Sequence, residues 1–285
     1  MKLLVVGDFH GKFPKKIKNI IKKEKIDVLV SNGDYFPFHF RKLWFKHCYG
    51  KDTGLWEIIG KKKYKNLIIE DLRNGENVLK KMSKLSIPVI TVLGNVDFPL
   101  RNDVADEERL SGKKYWKWDW RRNFAFKNLI KKYRNIHLID YSYTKSGDLI
   151  FIGARTGSYP GDAKSRAFKK HLKKLGKLFK KFRKENKAHK VIFVSHNIPY
   201  NTKLDIITSK EAHKIVIGKH YGSKLVRRII DKYQPILAIG GHIHEGRGMQ
   251  KLGKTLVVNP GAIHEGHYAI VEINEKTRKI NVKLR

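Results

Sequence analysis

Short runs of branched apolar residues, each ending at a glycine or a polar turn, are the feature that most constrains this fold. The first run is Leu3–Val6, which stops at Gly7, and similar runs follow at 27–31, 87–93, 190–194 and 236–239. Runs of this length and composition are typical of strands in a sheet that is covered on both faces. Because helix patterns separate most of them, we expect an α/β chain with sheets in the middle and helices outside.

The helix patterns alternate with the strand runs over most of the chain. They fall at 13–25, 66–85, 124–133, 163–186 and 223–233, and Gly75 is expected to weaken the middle of the second. Further strands are predicted at 135–139 and 149–153, and those at 255–258, 268–273 and 279–284 are expected to close the chain as a β-meander. We see no repeat or linker, and therefore predict a single domain, 1–285, with irregular excursions from the core at about 35–65 and 99–123.

Length and composition limit the class of protein. The chain has 285 residues, and 41% of them are hydrophobic, so a sizeable core can form. No apolar run approaches the roughly 18 residues of a membrane-spanning helix, and no signal peptide precedes the first strand pattern. Cys48 is the single cysteine, which excludes an intramolecular disulfide. We therefore predict a cytoplasmic protein with no membrane association; the composition does not determine the oligomeric state.

The charge balance is unusual, with 62 Lys and Arg residues against 26 Asp and Glu, a net charge of +36. Such an excess attracts polyanions, and nucleic acid is the obvious partner. The alternative is that the lysines form solvated faces that reflect the composition of the host. Thermophilic proteins, however, are enriched in Glu as well as Lys, whereas Glu is scarce here. Both interpretations stay open.

Metal-ligand residue types stand just beyond five of the predicted strands. Any one of them alone would be an ordinary loop residue, but together they form a set of two carboxylates, four imidazoles and one amide oxygen: Asp8, His10, Asp34, Asn95, His196, His242 and His244. Hard oxygen and borderline nitrogen ligands together suit Mn, Fe, Zn, Co or Ni better than Mg or Ca. Seven ligands are too many for one tetrahedral ion, and they suit two divalent ions about 3.5–4 Å apart that share a carboxylate.

The order of these motifs resembles that of the calcineurin-like metallophosphoesterase superfamily over almost the whole chain. The motifs are Asp8-x-His10, Gly33-Asp34, Gly94-Asn95, Ser195-His196 and Gly241-His242-x-His244. Three longer segments, 194–200, 240–248 and 258–261, resemble the branch of Icc-like phosphohydrolases.

The resemblance implies a fold, a ligand set and a reaction. The fold would be a four-layer α-β-β-α sandwich of two mixed sheets. The first ion would be held by Asp8, His10, Asp34 and His244, and the second by Asp34, Asn95, His196 and His242, with Asp34 bridging the two. A hydroxide between the ions would attack a phosphate ester in line, while the ions hold the phosphate oxygens.

One position departs from the family pattern. The third motif usually reads Gly-Asn-His-Asp or Gly-Asn-His-Glu, and its His helps to bind phosphate and can protonate the leaving oxygen. Here Val96 stands in its place and can do neither. His220, in a turn before a predicted helix, is our candidate for that role; it could equally be a surface histidine. Arg247 is a candidate phosphate clamp that could instead form a salt bridge with Glu245.

From these residues we expect a metal-dependent phosphoric ester hydrolase, and we favour a phosphodiesterase acting on nucleotides or nucleic acid. Catalysis would involve Asp34, Asn95, His196 and His220, and substrate contacts would involve Asn95, His220 and Arg247. One rival is a phosphomonoesterase, including a protein phosphatase. A second rival is a basic nucleic-acid-binding protein whose site has lost its catalysis.

Two groups of residues stay unassigned. His264 and His267 follow Pro260 and are expected only to line the rim of the site. The alternation Trp116, Trp118, Trp120 is either a packed cluster or a platform on which bases stack.

Overall fold

A computed structural model describes residues 1–48, 51, 53–97, 116, 118, 125–210, 212 and 214–285. The strands are β1 (Lys2–Val6), β2 (Val28–Ser31), β3 (Val89–Thr91), β4 (Ile136–Leu138), β5 (Tyr143–Ser146), β6 (Leu149–Ala154), β7 (Val191–Asn197), β8 (Leu237–Gly241), β9 (Gly248–Leu252), β10 (Thr255–Asn259), β11 (Ala269–Ile273) and β12 (Ile280–Leu284). The helices span Lys16–Glu24, Arg41–His47, Leu55–Ile59, Lys61–Met82, Ala125–Ile130, Arg166–Lys181, Arg183–Lys187 and Lys224–Tyr233.

The strands form two mixed sheets of six strands each. The first sheet has the order β12-β11-β1-β2-β3-β4, and the second has the order β5-β6-β7-β8-β10-β9. In the first sheet β1 to β4 pair in parallel, and in the second sheet β6, β7, β8 and β10 do so. The other neighbours pair antiparallel: β12 with β11, β11 with β1, β5 with β6, and β10 with β9. The two mixed sheets that the sequence predicts are confirmed.

The two sheets pack face to face through a shared apolar layer. In β1, Leu3 and Val5 point into this layer, whereas Leu4 and Val6 point to the opposite face, where helices cover the sheet. The second sheet repeats the alternation, with Ile192 and Val194 of β7 facing the shared layer. Because both faces of each central strand are buried, these strands have continuous apolar sequences.

Each sheet is covered on its outer face by helices. Ile17 and Ile21 of the helix Lys16–Glu24, with Val78, Leu79 and Met82 of the helix Lys61–Met82, pack on the first sheet. On the second sheet lie Phe168, Leu175 and Phe179 of the helix Arg166–Lys181, and Val226, Ile229 and Ile230 of the helix Lys224–Tyr233. The α/β layer arrangement is therefore that of helices on both sides of two central sheets.

Gly75 does not interrupt the helix Lys61–Met82, contrary to the expectation from its sequence. A β-carbon at this position would lie 2.3 Å from Phe36 Cδ1 and 3.1 Å from Phe126 Cε2. Glycine is therefore required here because two aromatic rings pack against the helix backbone.

The 35–65 excursion is less irregular than predicted. It contains two short helices, Arg41–His47 and Leu55–Ile59, whose side chains join an aromatic cluster with Phe40 and Tyr64. Trp116 and Trp118 pack against this cluster, with their rings 5.0 Å apart. The remainder of the predicted 99–123 excursion, Trp120 included, lies outside the described residues.

Two other predictions of secondary structure were wrong in detail. The closing strands do not form one meander: β10 lies in the second sheet, and β11 and β12 form a hairpin in the first. The turn Ile263–Glu265 carries the chain from one sheet to the other. The basic helix predicted at 163–186 ends at Lys181, because Phe182 leaves the helical conformation and buries its ring against Tyr143.

No described helix is both long and apolar enough to span a membrane. The prediction of one domain over 1–285 stays a prediction.

Candidate functional site

The carboxyl ends of five strands, three from the first sheet and two from the second, meet at one place. The junction is fixed by two contacts between the sheets. His196 Nδ1, at the end of β7, lies 2.8 Å from the backbone oxygen of Asn32, which follows β2. The backbone N–H of His242, after β8, donates to Asp8 Oδ2, after β1, at 3.4 Å. Crevices at the carboxyl ends of parallel strands are the usual position of sites in open α/β sheets.

The first group of metal-ligand types is Asp8, His10 and His244, whose ligand atoms lie within 4.8 Å of one another. His244 Nε2 is 3.3 Å from Asp8 Oδ1, and the rings of His10 and His244 are 5.6 Å apart. Asp8 is completely buried, and apart from this contact with the His244 ring its Oδ1 accepts no hydrogen bond among the described residues. A buried carboxylate oxygen in this state is suited to binding a cation.

The second group is Asp34, His196 and His242, again with ligand atoms within 4.8 Å. His196 Nε2 lies 3.6 Å from Asp34 Oδ1 and 3.2 Å from His242 Nδ1. Asn95 Oδ1 is 2.7 Å from the same nitrogen. All seven residues that the sequence singled out as ligand types therefore lie at this junction.

The second ring nitrogen of three imidazoles is held by an acceptor. His10 Nδ1 lies 3.1 Å from the Phe36 carbonyl oxygen, and His244 Nδ1 lies 3.1 Å from Glu265 Oε1. His196 Nδ1 faces the Asn32 carbonyl, as described above. Because carbonyl and carboxylate oxygens only accept hydrogen bonds, each of these Nδ1 atoms carries a proton, and Nε2 is the ring nitrogen that would bind a cation after losing any proton it holds. Metal-binding histidines are usually oriented in this way.

The donor set therefore fits divalent transition-metal ions. His196 Nε2 faces an amide oxygen, a carboxylate oxygen and a second imidazole nitrogen, so that a cation at their centre would satisfy all of them. Imidazole nitrogen with carboxylate oxygen is a combination that favours Mn, Fe, Co, Ni or Zn.

Burial and neighbouring charges shift the pKa values of His242 and His244, which follow β8, in opposite directions. Burial, with the neighbouring His196, lowers the pKa of His242 to about 3, so this ring is neutral at pH 7. Burial also lowers the pKa of His244, but the carboxylates of Asp8 and Glu265 outweigh it and raise the pKa to about 9. Burial tends to raise the pKa of Asp8, yet the surrounding imidazoles lower it below its ordinary value.

Four residues of the two groups have left-handed backbone conformations, which residues with a β-carbon seldom adopt. The φ angles are 54° at Asp8, 43° at His10, 57° at Asp34 and 70° at His242. Each costs about 1–3 kcal/mol, so the surrounding structure must hold it in place. Part of this support comes from the N–H groups of Asp8 and His10, which donate to the carbonyls of Gly33 and Asp34 at 2.9 and 3.0 Å.

Asp97 is a residue beside the site to which the sequence reasoning gave no role. It is completely buried, and its carboxylate accepts hydrogen bonds from the N–H groups of Asp34 and Gly94, both at 2.8 Å, and of Tyr35 at 2.6 Å. Burial and the charge of Asp34 raise its pKa well above the ordinary value. Asp97 thus ties the loop after β3 to the loop after β2; the acidic position of the third motif was the available signal.

Val96 contributes its backbone and not its side chain to the site. Its N–H donates to Asp34 Oδ1 at 3.1 Å, and its side chain packs against the core of the first sheet. It therefore holds a ligand-type carboxylate in position without supplying a group that could protonate a leaving oxygen.

A close approach of two polar side chains explains one glycine of the site. Asn32 is fully buried, and neither polar atom of its side chain has a hydrogen-bond partner among the described residues. A β-carbon at Gly241 would lie 2.1 Å from Asn32 Nδ2 and 2.8 Å from Asp8 Oδ2. Glycine at 241 is therefore needed to let the amide and the carboxylate pack beside each other.

His220 lies outside the two ligand-type groups, in a second polar cluster on the side of the second sheet. Its Nδ1 is 2.7 Å from Oδ1 of Asp205, a carboxylate that is completely buried, while about a third of the His220 side chain is exposed. Asp205 also accepts from the N–H groups of Asn201, Thr202 and Gly222. The neighbouring Tyr221 carbonyl accepts from Asn197 Nδ2 at 3.0 Å, which links this turn to the residue after His196.

Arg247 does not pair with Glu245 within the described part of the chain. Glu245 Oε1 instead accepts from the N–H groups of Thr208 and Ser209, at 3.0 and 2.9 Å. Arg247 Nε is buried, with no hydrogen-bond partner among the described residues, and the side chain passes against Gly261.

The histidines after Pro260 belong to the site more closely than predicted. His264 Nδ1 is 2.7 Å from the Asp8 carbonyl, and its ring lies 4.9 Å from His10 and 5.3 Å from His244. Glu265 lies among three imidazoles: besides its contact with His244, it is 3.6 Å from His264 and 3.6 Å from His267. Their sequence spacing resembles no ligand motif, so only the turn between the two sheets reveals them.

One relative and two solved structures match this chain over more than nine-tenths of its length. A protein of Methanocaldococcus jannaschii described as uncharacterised is 27% identical over 265 residues, which cover 91% of this chain and 88% of that protein. One solved crystal structure has a TM-score of 0.65 at 21% identity and covers 99% of this chain and 98% of the other. The crystal structure of TT1561 of Thermus thermophilus has a TM-score of 0.55 at 16% identity and covers 99% of this chain and 97% of that one.

These structures share the fold, and a family model extends the likeness to sequence. The model of the calcineurin-like phosphoesterases matches residues 1–246, a range that contains all seven ligand-type residues and ends just beyond His244. The chain therefore belongs to the calcineurin-like phosphoesterase family.

Proposed function

We propose that this chain is a dinuclear metal-dependent phosphodiesterase that acts on nucleotides or nucleic acid. The observation that carries the proposal is the pair of ligand-type groups, Asp8 with His10 and His244, and Asp34 with His196 and His242, side by side at one junction. Phosphoester hydrolysis with divalent metals is consistent with the family; the diester preference and the number of ions are our own inference.

Asp34 is proposed to bridge the two ions. Its Oδ2 lies 4.0 Å from His10 Nε2, and its Oδ1 lies 3.6 Å from His196 Nε2, so that each oxygen faces one group. In this assignment Asp8, His10, Asp34 and His244 hold the first ion. Asp34, Asn95, His196 and His242 hold the second.

Bound ions would supply Lewis acidity and activate water, as in other two-metal hydrolases. The residues of the chain provide the orientation. Asp97 fixes the loop that carries Asp34, Glu265 holds His244 by its Nδ1, and the Asn32 carbonyl holds His196 in the same way. Arg247, whose Nε is unpaired within the described residues, is proposed to contact a phosphate oxygen together with Asn95.

Val96 is the reason for favouring diesters. Without an imidazole at this position, the site lacks the group that would donate a proton to a leaving oxygen beside Asn95. Substrates whose leaving group needs less help from a proton donor are then favoured. The His220–Asp205 pair is proposed to supply the proton that the remaining substrates require, because a buried carboxylate fixes the imidazole orientation.

The first test replaces one residue of the second group. Asp34→Asn and His196→Ala should each abolish Mn²⁺-dependent hydrolysis of bis(4-nitrophenyl) phosphate and remove at least one equivalent of bound Mn²⁺ measured by calorimetry. Matched controls are Asp231→Asn and His137→Ala, which change exposed residues on a helix and on β4. Full activity in Asp34→Asn or His196→Ala, with a native circular dichroism spectrum, would contradict the proposal.

The second test concerns His220. His220→Ala should slow hydrolysis of a diester with an alkyl leaving group by roughly 10²-fold, the usual contribution of a general acid, and should slow the 4-nitrophenyl diester far less. An equal loss with both leaving groups would assign His220 to structure and not to proton donation. Comparing 4-nitrophenyl phosphate with the diester in the same assay separates a diesterase from a monoesterase.

A further inference from the structure

The helix Arg166–Lys181 has a distribution of charge that differs from the other long helices. It contains eight cationic residues and no Asp or Glu. The helices Lys16–Glu24, Lys61–Met82 and Lys224–Tyr233 are also rich in Lys and Arg, but each contains at least one acidic residue. This helix of 16 residues therefore carries eight positive charges and no negative one, in a chain whose net charge is +36 over 285 residues.

This arrangement works against the stability of the helix itself. Its first turn contains no acidic residue, although acidic side chains are favoured there by the helix dipole. Lys169 and Lys173, and Lys173 and Lys177, are like-charged pairs four residues apart, and such pairs destabilise a helix by about 0.2–0.5 kcal/mol each. A face that costs stability in the free protein points to a partner that compensates the charge.

Four of the lysines form one straight surface, which we call the lysine ridge: Lys169, Lys173, Lys177 and Lys180. All four are exposed, and none forms an ion pair with another described residue. The distance from Lys169 to Lys180 is about 16 Å along the helix axis. One strand of duplex DNA presents about five phosphates over this length, so the four lysines span a stretch of nucleic-acid backbone that carries a similar number of charges.

The apolar side of the same helix is already used. Phe168, Leu175 and Phe179 are buried in the core of the second sheet. A helix that binds a lipid surface inserts its apolar face into the membrane, and this helix has none to offer. The chemistry of the exposed face therefore favours a soluble polyanion.

The position of the ridge connects it with the site. The segment that precedes the helix packs against the end of β7, where Asn197 donates from its backbone N–H to Thr156 Oγ1 at 2.7 Å and from Nδ2 to the Gly157 carbonyl at 3.2 Å. The ring of His242 also hydrogen-bonds the backbone of Ser158. The amino end of the helix thus follows a segment that contacts the metal-ligand residues and their neighbour Asn197.

We propose that the lysine ridge binds the sugar–phosphate backbone of a nucleic-acid substrate and directs it toward the site. The inference rests on the proposed function, since it names the substrate class and the surface that holds it. The ridge has lysines without aromatic neighbours, which contact phosphates and not base edges. Binding is therefore independent of the nucleotide sequence.

The experiment compares two triple variants of equal charge. Lys169→Gln, Lys173→Gln and Lys177→Gln are combined in one protein, and Lys18→Gln, Lys22→Gln and Lys23→Gln, all exposed on the helix Lys16–Glu24, are combined in the control. Binding of a fluorescein-labelled 20-nucleotide single-stranded DNA is measured against salt, with hydrolysis of bis(4-nitrophenyl) phosphate as a separate readout. The ridge variant should bind at least about tenfold more weakly, and the slope of log K against log salt should fall by about 2.

The outcomes distinguish failure of the ridge from failure of the proposed chemistry. The control triple should keep wild-type affinity, and both triples should keep wild-type turnover of the small diester. Equal weakening in both triples would overturn the proposal, because the overall field would then suffice. So would DNA binding unchanged in the ridge variant, or ridge-dependent binding of phosphatidylserine vesicles without binding of DNA. If the wild-type protein did not hydrolyse the small diester, the proposed function would be refuted. The binding assay would still show whether the lysine ridge binds nucleic acid.

Discussion

Asp97 shows how a residue that faces neither ligand-type group can still determine where both lie. Its two oxygens accept from the backbone of Asp34, Tyr35 and Gly94, so one carboxylate sets the distance between the loops after β2 and β3. The geometry of Asp34 and Asn95 therefore depends on an acceptor buried behind them. Positioning of this kind is common around metal ligands.

This dependence gives a prediction for Asp97→Asn. The NH2 group of the new amide would face a backbone N–H, so that buried donors would be left without an acceptor. The free energy of unfolding should therefore fall by about 1–3 kcal/mol. Mn²⁺ affinity measured by calorimetry should fall by at least tenfold, because outer contacts of metal ligands contribute about 10–100-fold.

The control for Asp97 is Asp231→Asn, an exposed carboxylate paired with Arg227 on a helix. It should leave both quantities unchanged. Unaltered Mn²⁺ affinity in Asp97→Asn would show that the loops after β2 and β3 hold their positions without this carboxylate.

At the scale of single elements, the helix Arg166–Lys181 carries a buried titratable group besides the lysine ridge. His171 is 3% exposed, its ring lies 4.0 Å from that of Tyr141, and its Nδ1 has no hydrogen-bond partner among the described residues. Burial, together with the cations Arg155, Lys174 and Lys170, lowers its pKa from 6.5 to about 3. The folded helix therefore holds a neutral imidazole.

The sign of the resulting pH dependence follows from the two pKa values. Between about pH 6.5 and pH 3 the unfolded chain binds a proton at His171 that the folded chain does not, so stability is complete above pH 6.5 and falls on acidification. His171→Leu should remove this pH-dependent contribution to stability. Between pH 7 and pH 4.5 the free energy of unfolding in urea should fall by about 2–3 kcal/mol more in the wild type than in the variant.

The measurement uses metal-free protein at both pH values, so that proton competition at the metal-ligand residues is the same in both chains. His137→Ala, a change at an exposed histidine on β4, serves as the control and should lose as much stability as the wild type. If His171→Leu and the wild type lost the same stability on acidification, the imidazole would be protonated in the folded helix.

Most strands could be predicted from the sequence because nearly every residue in them is buried, which gives each strand a continuous apolar run. The central strands are apolar on both faces, so that periodicity and length located them within a few residues. β5 and β9 could not be located in this way, since both are edge strands of partly buried and exposed residues without an apolar run. The helices Arg41–His47 and Leu55–Ile59 depend on packing within an aromatic cluster that also takes in the distant Trp116 and Trp118, which no local pattern records.

At the scale of the whole molecule, the site exists because two sheets bring their strand ends together. The motif residues could be found in the sequence because each follows a recognisable strand. The roles of Asp97, Glu265 and His264 could not be predicted, because they depend on contacts across loops, although Asp97 stands at the acidic position of the third motif and the sequence places His264 at the rim. Glu265 approaches His244 only because the chain crosses from the second sheet to the first between β10 and β11.

The central claim, that the junction of the two sheets holds two ions bridged by Asp34, is tested most directly by anomalous diffraction from crystals grown with Mn²⁺. The account predicts two anomalous peaks about 3.5–4 Å apart. One should lie among Asp8, His10 and His244, and the other among Asn95, His196 and His242, with the Asp34 carboxylate between them. Peaks elsewhere on the protein, or a single peak that leaves either group without an ion at saturating Mn²⁺, would contradict it.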